Sequence, residues 1–175
     1  NHPTLRYNLG ITHQQQGHLD DAEECFSAAV RARPGWVDAL NNLGIVLQTK
    51  EKFDDSVHVF QEILNYDPEN STAHNNIATT LARQGRTDEA INYYKKALER
   101  NPNYVKAAVN LGQMFEQTTG SDSAIQELLN LVEFNPSNTD LRLQLAKAYQ
   151  RAGRNAEAES QLNAVLRADG QKLYA

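Results

Sequence analysis

Residues 37–70 read VDALNNLGIVLQTKEKFDDSVHVFQEILNYDPEN. Leu40, Leu43 and Leu47 fall at i, i+3 and i+7, and Val57, Phe60 and Leu64 repeat that spacing after a polar break, which is the periodicity of a helix and not of a strand. Asp54 and Asp55 open the second apolar series, where carboxylates suit the positive end of a helix dipole. Pro68 follows it, and a ring without an N–H cannot continue the hydrogen-bond ladder. The stretch therefore predicts two helices joined by a short turn.

Moving outward, the pattern recurs in both directions. Pro34, Pro68, Pro102 and Pro136 stand 34 residues apart. In register with them are Leu9-Gly10, Leu43-Gly44, Ile77-Ala78, Leu111-Gly112 and Leu145-Ala146, then a small residue at Ala22, Ser56, Ala90, Ala124 and Ala158, then a large apolar one at Phe26, Phe60, Tyr94, Leu128 and Leu162. Gly17, Gly85 and Gly153 lie between the half-repeats, where a left-handed backbone ends a helix without a Cβ clash. A 34-residue period with this order of small and large residues resembles the tetratricopeptide repeat, a helix-turn-helix unit.

The resemblance covers nearly the whole chain as five units, at about 3–36, 37–70, 71–104, 105–138 and 139–170, with a short tail at 171–175. It implies an all-α, right-handed superhelical solenoid forming a single domain. Departures from the family pattern are His13, where an aromatic is usual, Glu51 in place of the turn glycine, and Gly170 in place of a fifth proline. The small residues at positions such as Gly10 and Gly44 are expected to let the two helices of a unit approach, with Ala22, Ala90 and Ala158 receiving them. Trp36 and Tyr104 read as packing staples between units, and Ser121 and Ser123 as helix caps. One such unit cannot bury both its faces, so stability is expected from stacking of neighbours.

Composition narrows the function. The 175 residues are 40% apolar and 22% charged, with a formal charge of −5. No apolar run approaches the roughly 18 residues that would suggest a membrane span, and no basic cluster marks a nucleic-acid surface, so neither membrane insertion nor nucleic acid is expected. The single Cys25 excludes an intramolecular disulfide and fits a cytoplasm or a periplasm, the former slightly favoured. The chain starts with Asn1 and not Met, as expected of a processed product or part of a longer protein.

One polar row stands out. Two positions before each Gly or Ala landmark stand Asn8, Asn42, Asn76, Asn110 and Gln144, although asparagine is a mediocre residue inside a helix. In the resembling family the first helix of each unit lines a concave groove. A primary amide both donates and accepts, and one per repeat suits the backbone of an extended peptide, whatever its side chains. The row is similar in position and spacing to that of the repeats of O-linked N-acetylglucosamine transferase, which implies recognition of a protein or peptide partner but not sugar transfer. Asn at this site can also simply bond between adjacent helices or face water.

Asn41, Lys106 and Lys147 are further groove candidates, with Asp38, Glu116 and Arg151 beside them, and the cations gather late in the chain. Compared with the carboxylate clamp of chaperone-binding repeats, only Asn76 and Lys106 match. No catalytic, metal-binding or cofactor-binding residues are expected. The histidines lack an H-E-x-x-H or similar spacing, His13 and His18 fall on a helix and its turn, and Cys25 sits beside Glu23 and Glu24, which disfavour a thiolate. A non-catalytic protein-binding scaffold is thus the leading expectation. Self-assembly is the alternative, through the convex face or through end faces in which Val165, Leu166, Leu173 and Tyr174 are exposed and Arg6 and His13 stand at usually apolar places.

Overall fold

The computed structural model describes residues 2–118 and 120–172, with side chains described up to residue 168. Among these residues all regular structure is α-helix: α1 (Pro3–Gln15), α2 (Leu19–Ala32), α3 (Val37–Thr49), α4 (Phe53–Tyr66), α5 (Ser71–Arg83), α6 (Thr87–Arg100), α7 (Val105–Thr118), α8 (Ser121–Phe134), α9 (Thr139–Arg151) and α10 (Asn155–Lys172). The all-α class with two helices per repeat is as expected. Each of the four periodic prolines lies two residues past a helix end, Pro34 after Ala32, Pro68 after Tyr66, Pro102 after Arg100 and Pro136 after Phe134. α10 has no such stop. With glycine at 170 it runs for 18 residues against 14 in α2, so Gln171 and Lys172, expected in a tail, are helical.

Packing divides the chain into two compact units, Asn1–Tyr93 and Tyr94–Ala175. In the first, α1 packs on α2, α2 on α3, α3 on α4 and α4 on α5, while α3 also touches α1 and α5. In the second, α7 packs on α8 and α9, α8 on α9, and α9 on α10. The first core is centred on the fully buried Phe26, Leu40, Phe60, Ile63, Ile77 and Leu81, the second on Leu98, Leu111, Leu128, Leu141 and Leu145. These are the positions that the helical spacing assigns to the inside.

The close approach within a repeat brings in a residue beyond the expected ones. A Cβ on Gly10 would lie 2.7 Å from the Phe26 ring, and one on Gly44 only 2.5 Å from the Phe60 ring. The small residue of the first helix is thus met by the large ring of the second, and Ser56, the equivalent of Ala22, also reaches Gly44 through its hydroxyl on the Gly44 carbonyl. In the fourth repeat, whose second helix carries Leu128 instead of a phenylalanine, a Cβ on Gly112 would meet the Gln144 side chain on α9 at 2.6 Å.

Four turns between the helices of a repeat share one backbone pattern. The N–H of Gly17, Glu51, Gly85 and Gly153 bonds back to Gln14, Gln48, Ala82 and Gln150, and the next N–H, of His18, Lys52, Arg86 and Arg154, reaches His13, Leu47, Leu81 and Tyr149 at 2.9 Å in each case. This double closure needs a left-handed residue. The three glycines adopt φ of 74–79°, and Glu51 is forced to φ 60°, the positive-φ non-glycine among the described residues. A left-handed L-residue costs roughly 1–2 kcal/mol, partly offset because glycine loses more entropy on folding. Glu51→Gly is therefore expected to stabilise the first unit by about 0.5–1 kcal/mol, since the exposed Glu51–Arg83 pair it removes, at 3.8 Å, contributes little. A urea midpoint that falls in this variant would show that the turn is not strained.

Charged side chains at the next turn stitch neighbouring repeats together. Lys50 bridges Asp20 and Glu23, and Lys52 donates to Glu23 at 2.9 Å. The hydrogen bond from Lys50 holds the Asp20 carboxyl below its usual range. For Glu23, burial pushes upward, but hydrogen bonds from Lys50 and Lys52 outweigh it.

Other expectations are corrected. Ser121 and Ser123 are not caps: α8 starts at Ser121 behind an extended Gly120, and no side chain caps it. Side-chain caps are found instead at Asn70 and Asn138, which accept from the N–H of Ala73 and Leu141. Val165 is not part of an exposed patch, because α10 turns it inward against α9, while Leu166 stays exposed. Leu173 and Tyr174 lie outside the described residues. Leu5 and Leu9, by contrast, are 67% and 45% exposed although their equivalents Ala39 and Leu43 are buried, since among the described residues no helix covers that side of α1.

Candidate functional site

The amide row is distributed over both units: Asn8, Asn42 and Asn76 on α1, α3 and α5, then Asn110 and Gln144 on α7 and α9. Equivalent sequence positions do not share one environment. Asn8 is exposed. Half-buried Asn42 donates from Nδ2 to the Tyr7 hydroxyl at 3.1 Å, one repeat back. Tyr7 is itself held between aromatic rings, with centroids 4.6 Å from Trp36 and 5.8 Å from Phe26, so Trp36 does act as a staple. Half-buried Asn76 donates from Nδ2 to Oδ1 of Asn41 at 2.8 Å, again one repeat back, and its own Oδ1 accepts from Asn75 at 3.3 Å.

In the second unit Asn110 is half-buried and Lys106 and Lys147 are exposed. Gln144 is only 3% exposed and lies over Gly112, so it is not presented to a ligand. Arg151 forms an ion pair with Glu116, which removes one of the late cations from the charge trend. Arg83 in the first unit is likewise engaged: it donates to the Gln48 carbonyl at 2.7 Å and lies over the Phe53 ring.

Residue spacing did not reveal the partners of these amides. Tyr7 was indistinguishable from a core aromatic, and the spacing likewise gave no sign of the polar contacts that join neighbouring helices. Gln48 donates to Thr80 at 2.9 Å, Thr80 donates to the Asn76 carbonyl at 2.8 Å, and Ser56 donates to the Gly44 carbonyl at 2.9 Å. Two other features were missed. Between residues 95–102 and α8 of the second unit lies an open cleft of about 670 Å³, with Leu98 and Leu131 in its lining and the 84% exposed Phe134 at its edge. His13, His18 and Asp21, unrelated by spacing, bring one ligand atom each to within 4.8 Å of one another.

Models of the tetratricopeptide repeat match residues 3–36, 71–104 and 121–175. The chain belongs to the tetratricopeptide repeat family. Two of the matched segments carry the bounds given by the 34-residue period, for the first and third repeats. Among solved structures, the chain is similar to MamA, at 19% identity with 98% of this chain and 94% of that one covered and a TM-score of 0.67. It is also similar to a tetratricopeptide repeat protein from Parabacteroides merdae, at 25% identity, 94% and 66% coverage and a TM-score of 0.68. A third relative in structure is YrrB, described as a tetratricopeptide repeat protein with an unusual peptide-binding site, at 19% identity, 93% and 84% coverage and a TM-score of 0.58. The likeness to MamA and YrrB is one of fold. No curated protein sequence matches. Tetratricopeptide repeats serve as protein-interaction scaffolds, and no described helix of this one is long and apolar enough to cross a membrane.

Proposed function

We propose that this chain is a non-catalytic scaffold that holds an extended peptide segment of a partner protein along the first helices of its repeats. Asn8, Asn42 and Asn76 are the main contacts on the first unit, with Asn41 beside them, and Asn110, Lys106 and Lys147 contribute on the second. The observation that carries this reading is the inter-repeat amide ladder, Asn42 to Tyr7 and Asn76 to Asn41, in side chains that remain half exposed. A carboxamide has two N–H donors and two acceptor lone pairs. One bond to the neighbouring repeat fixes its rotamer and keeps a second N–H and a lone pair for a ligand, so less side-chain entropy is lost on binding. The similarity of the row to that of the transferase repeats, and the peptide-binding site described for YrrB on the same fold, support the reading.

The test compares this chain with its Asn42/Asn76/Asn110→Ala variant in a pull-down from the source lysate, after circular dichroism has shown that the variant folds. A captured partner is then titrated calorimetrically. Each single Asn→Ala change is expected to cost about 1 kcal/mol of binding, and the triple change roughly 3 kcal/mol. Equal affinity for both proteins would remove the amide row from recognition. Self-assembly is the second reading, favoured by exposed Leu5 and Leu9 on α1. Sedimentation equilibrium decides it: a dimer that reverts to monomer on Leu5→Glu with Leu9→Glu supports it, and a monomeric parent excludes it.

A further inference from the structure

The turn inside the first repeat has the same backbone as those of the second, third and fifth repeats but different side chains. In the third repeat, Leu81 and Arg86 are joined by the 2.9 Å backbone bond that closes the turn, and Arg86 Nε donates to Glu89 at 2.7 Å. In the fifth, Tyr149 and Arg154 are joined in the same way, the guanidinium lies over the tyrosine ring, and Arg154 Nε donates to Glu157 at 2.8 Å. Each of these turns thus holds an apolar residue, a permanent cation and a carboxylate three positions after the cation. In the first repeat those places are taken by His13, His18 and Asp21, with the His18 N–H on the His13 carbonyl at the same 2.9 Å. Two imidazoles and a carboxylate stand where the other turns have one packed side chain and one ion pair.

Their geometry is that of a partly assembled ligand set. One donor atom from each residue lies within 4.8 Å of the other two. His13 Nδ1 is 3.9 Å from Asp21 Oδ2, and the two imidazole centroids are 6.0 Å apart. His13 Nδ1 is itself shielded from solvent and makes no hydrogen bond, and a buried polar atom left unsatisfied calls for a partner.

We infer that His13, His18 and Asp21 form a binding site for a divalent transition-metal ion of the zinc class, linking α1 to the first turn of α2. Neutral imidazole nitrogen with one carboxylate oxygen is a donor set suited to zinc, cobalt and nickel, not to the all-oxygen preference of calcium or magnesium. Two donors about 2.1 Å from a tetrahedral ion stand about 3.4 Å apart, so His13 and Asp21 need to close by about half an ångström. Asp21 and His18 are both exposed and can swing inward at little packing cost, whereas His13 is half-buried and supplies the fixed donor. The ion places beside Asp21 the positive charge that Arg86 and Arg154 place beside Glu89 and Glu157. Three protein ligands leave a fourth position for water or for a group from a partner.

The test uses the whole chain, stripped with chelator, titrated with zinc chloride in a calorimeter near neutral pH and followed by the imidazole resonances of all five histidines. The decisive variant is His18→Arg with Asp21→Glu, which installs the pair already present at Arg86 and Glu89 and so preserves the turn. Uptake of one ion, with His13 and His18 resonances shifting and the variant weakened by at least about tenfold, is the expected result. Absence of uptake by the folded parent overturns the site. Equal uptake by parent and variant overturns it as well, by placing the ion on other residues.

Discussion

Truncating Phe60 to alanine is expected to destabilise the first unit by about 3–5 kcal/mol, read as a fall in the urea midpoint. The ring is fully buried, and its edge fills the space that Gly44 leaves by having no side chain. Gly44→Leu attacks the same contact from the other side. Its first carbon alone would sit 2.5 Å from the ring, so roughly 1–3 kcal/mol of overpacking is expected, more than the gain of about 1 kcal/mol in helix propensity can offset. The two changes are coupled by volume. Combined, they are expected to cost less than their sum, because the leucine occupies part of the cavity that the missing ring creates. Strictly additive losses would show that the glycine and the ring do not share one space.

Asn138→Ala is expected to cost about 2–3 kcal/mol, well above the roughly 1 kcal/mol of an ordinary cap. The Asn138 side chain is buried, accepts from the Leu141 N–H at 3.0 Å to cap α9, and also donates to the Pro102 carbonyl, at 2.6 Å, in the turn after α6. Its removal loses a cap and leaves that carbonyl without its donor. Asn70 is the control, since it caps α5 in the same way but sends its amide to Asp67 in its own turn and is only half-buried. Asn70→Ala is expected near 1 kcal/mol, and Asn138→Asp between the two, because the carboxylate keeps the cap but cannot donate. Equal losses for Asn70→Ala and Asn138→Ala in matched denaturation curves would mean that the bond to Pro102 contributes nothing to stability.

The asparagine row illustrates how far residue pattern reaches into the candidate site. Its positions were legible because a 34-residue period makes every helix address its equivalents. What each amide does was not, since that depends on what the preceding repeat offers: a tyrosine hydroxyl for Asn42, another amide for Asn76, and a glycine surface for Gln144. The histidine cluster was hidden for the same reason. Its members are five and three positions apart, without the cysteine pair that accompanies such a histidine spacing in zinc motifs, and the left-handed Gly17 folds the turn so that they meet.

Fold class, the ten helices, their ends at the prolines and the identity of most core positions follow from the chain alone, because helical periodicity, proline and the glycine turn act over a few residues and repeat five times. The contact of Gly44 with the Phe60 ring, the strain carried by Glu51, the burial of Gln144 and Val165, and the convergence of His13, His18 and Asp21 were decided only in the tertiary structure. Those features depend on distances between segments, where a side chain's length and the exact rotation of one helix on another determine the contact, and neither quantity is written in the spacing of residues along the chain.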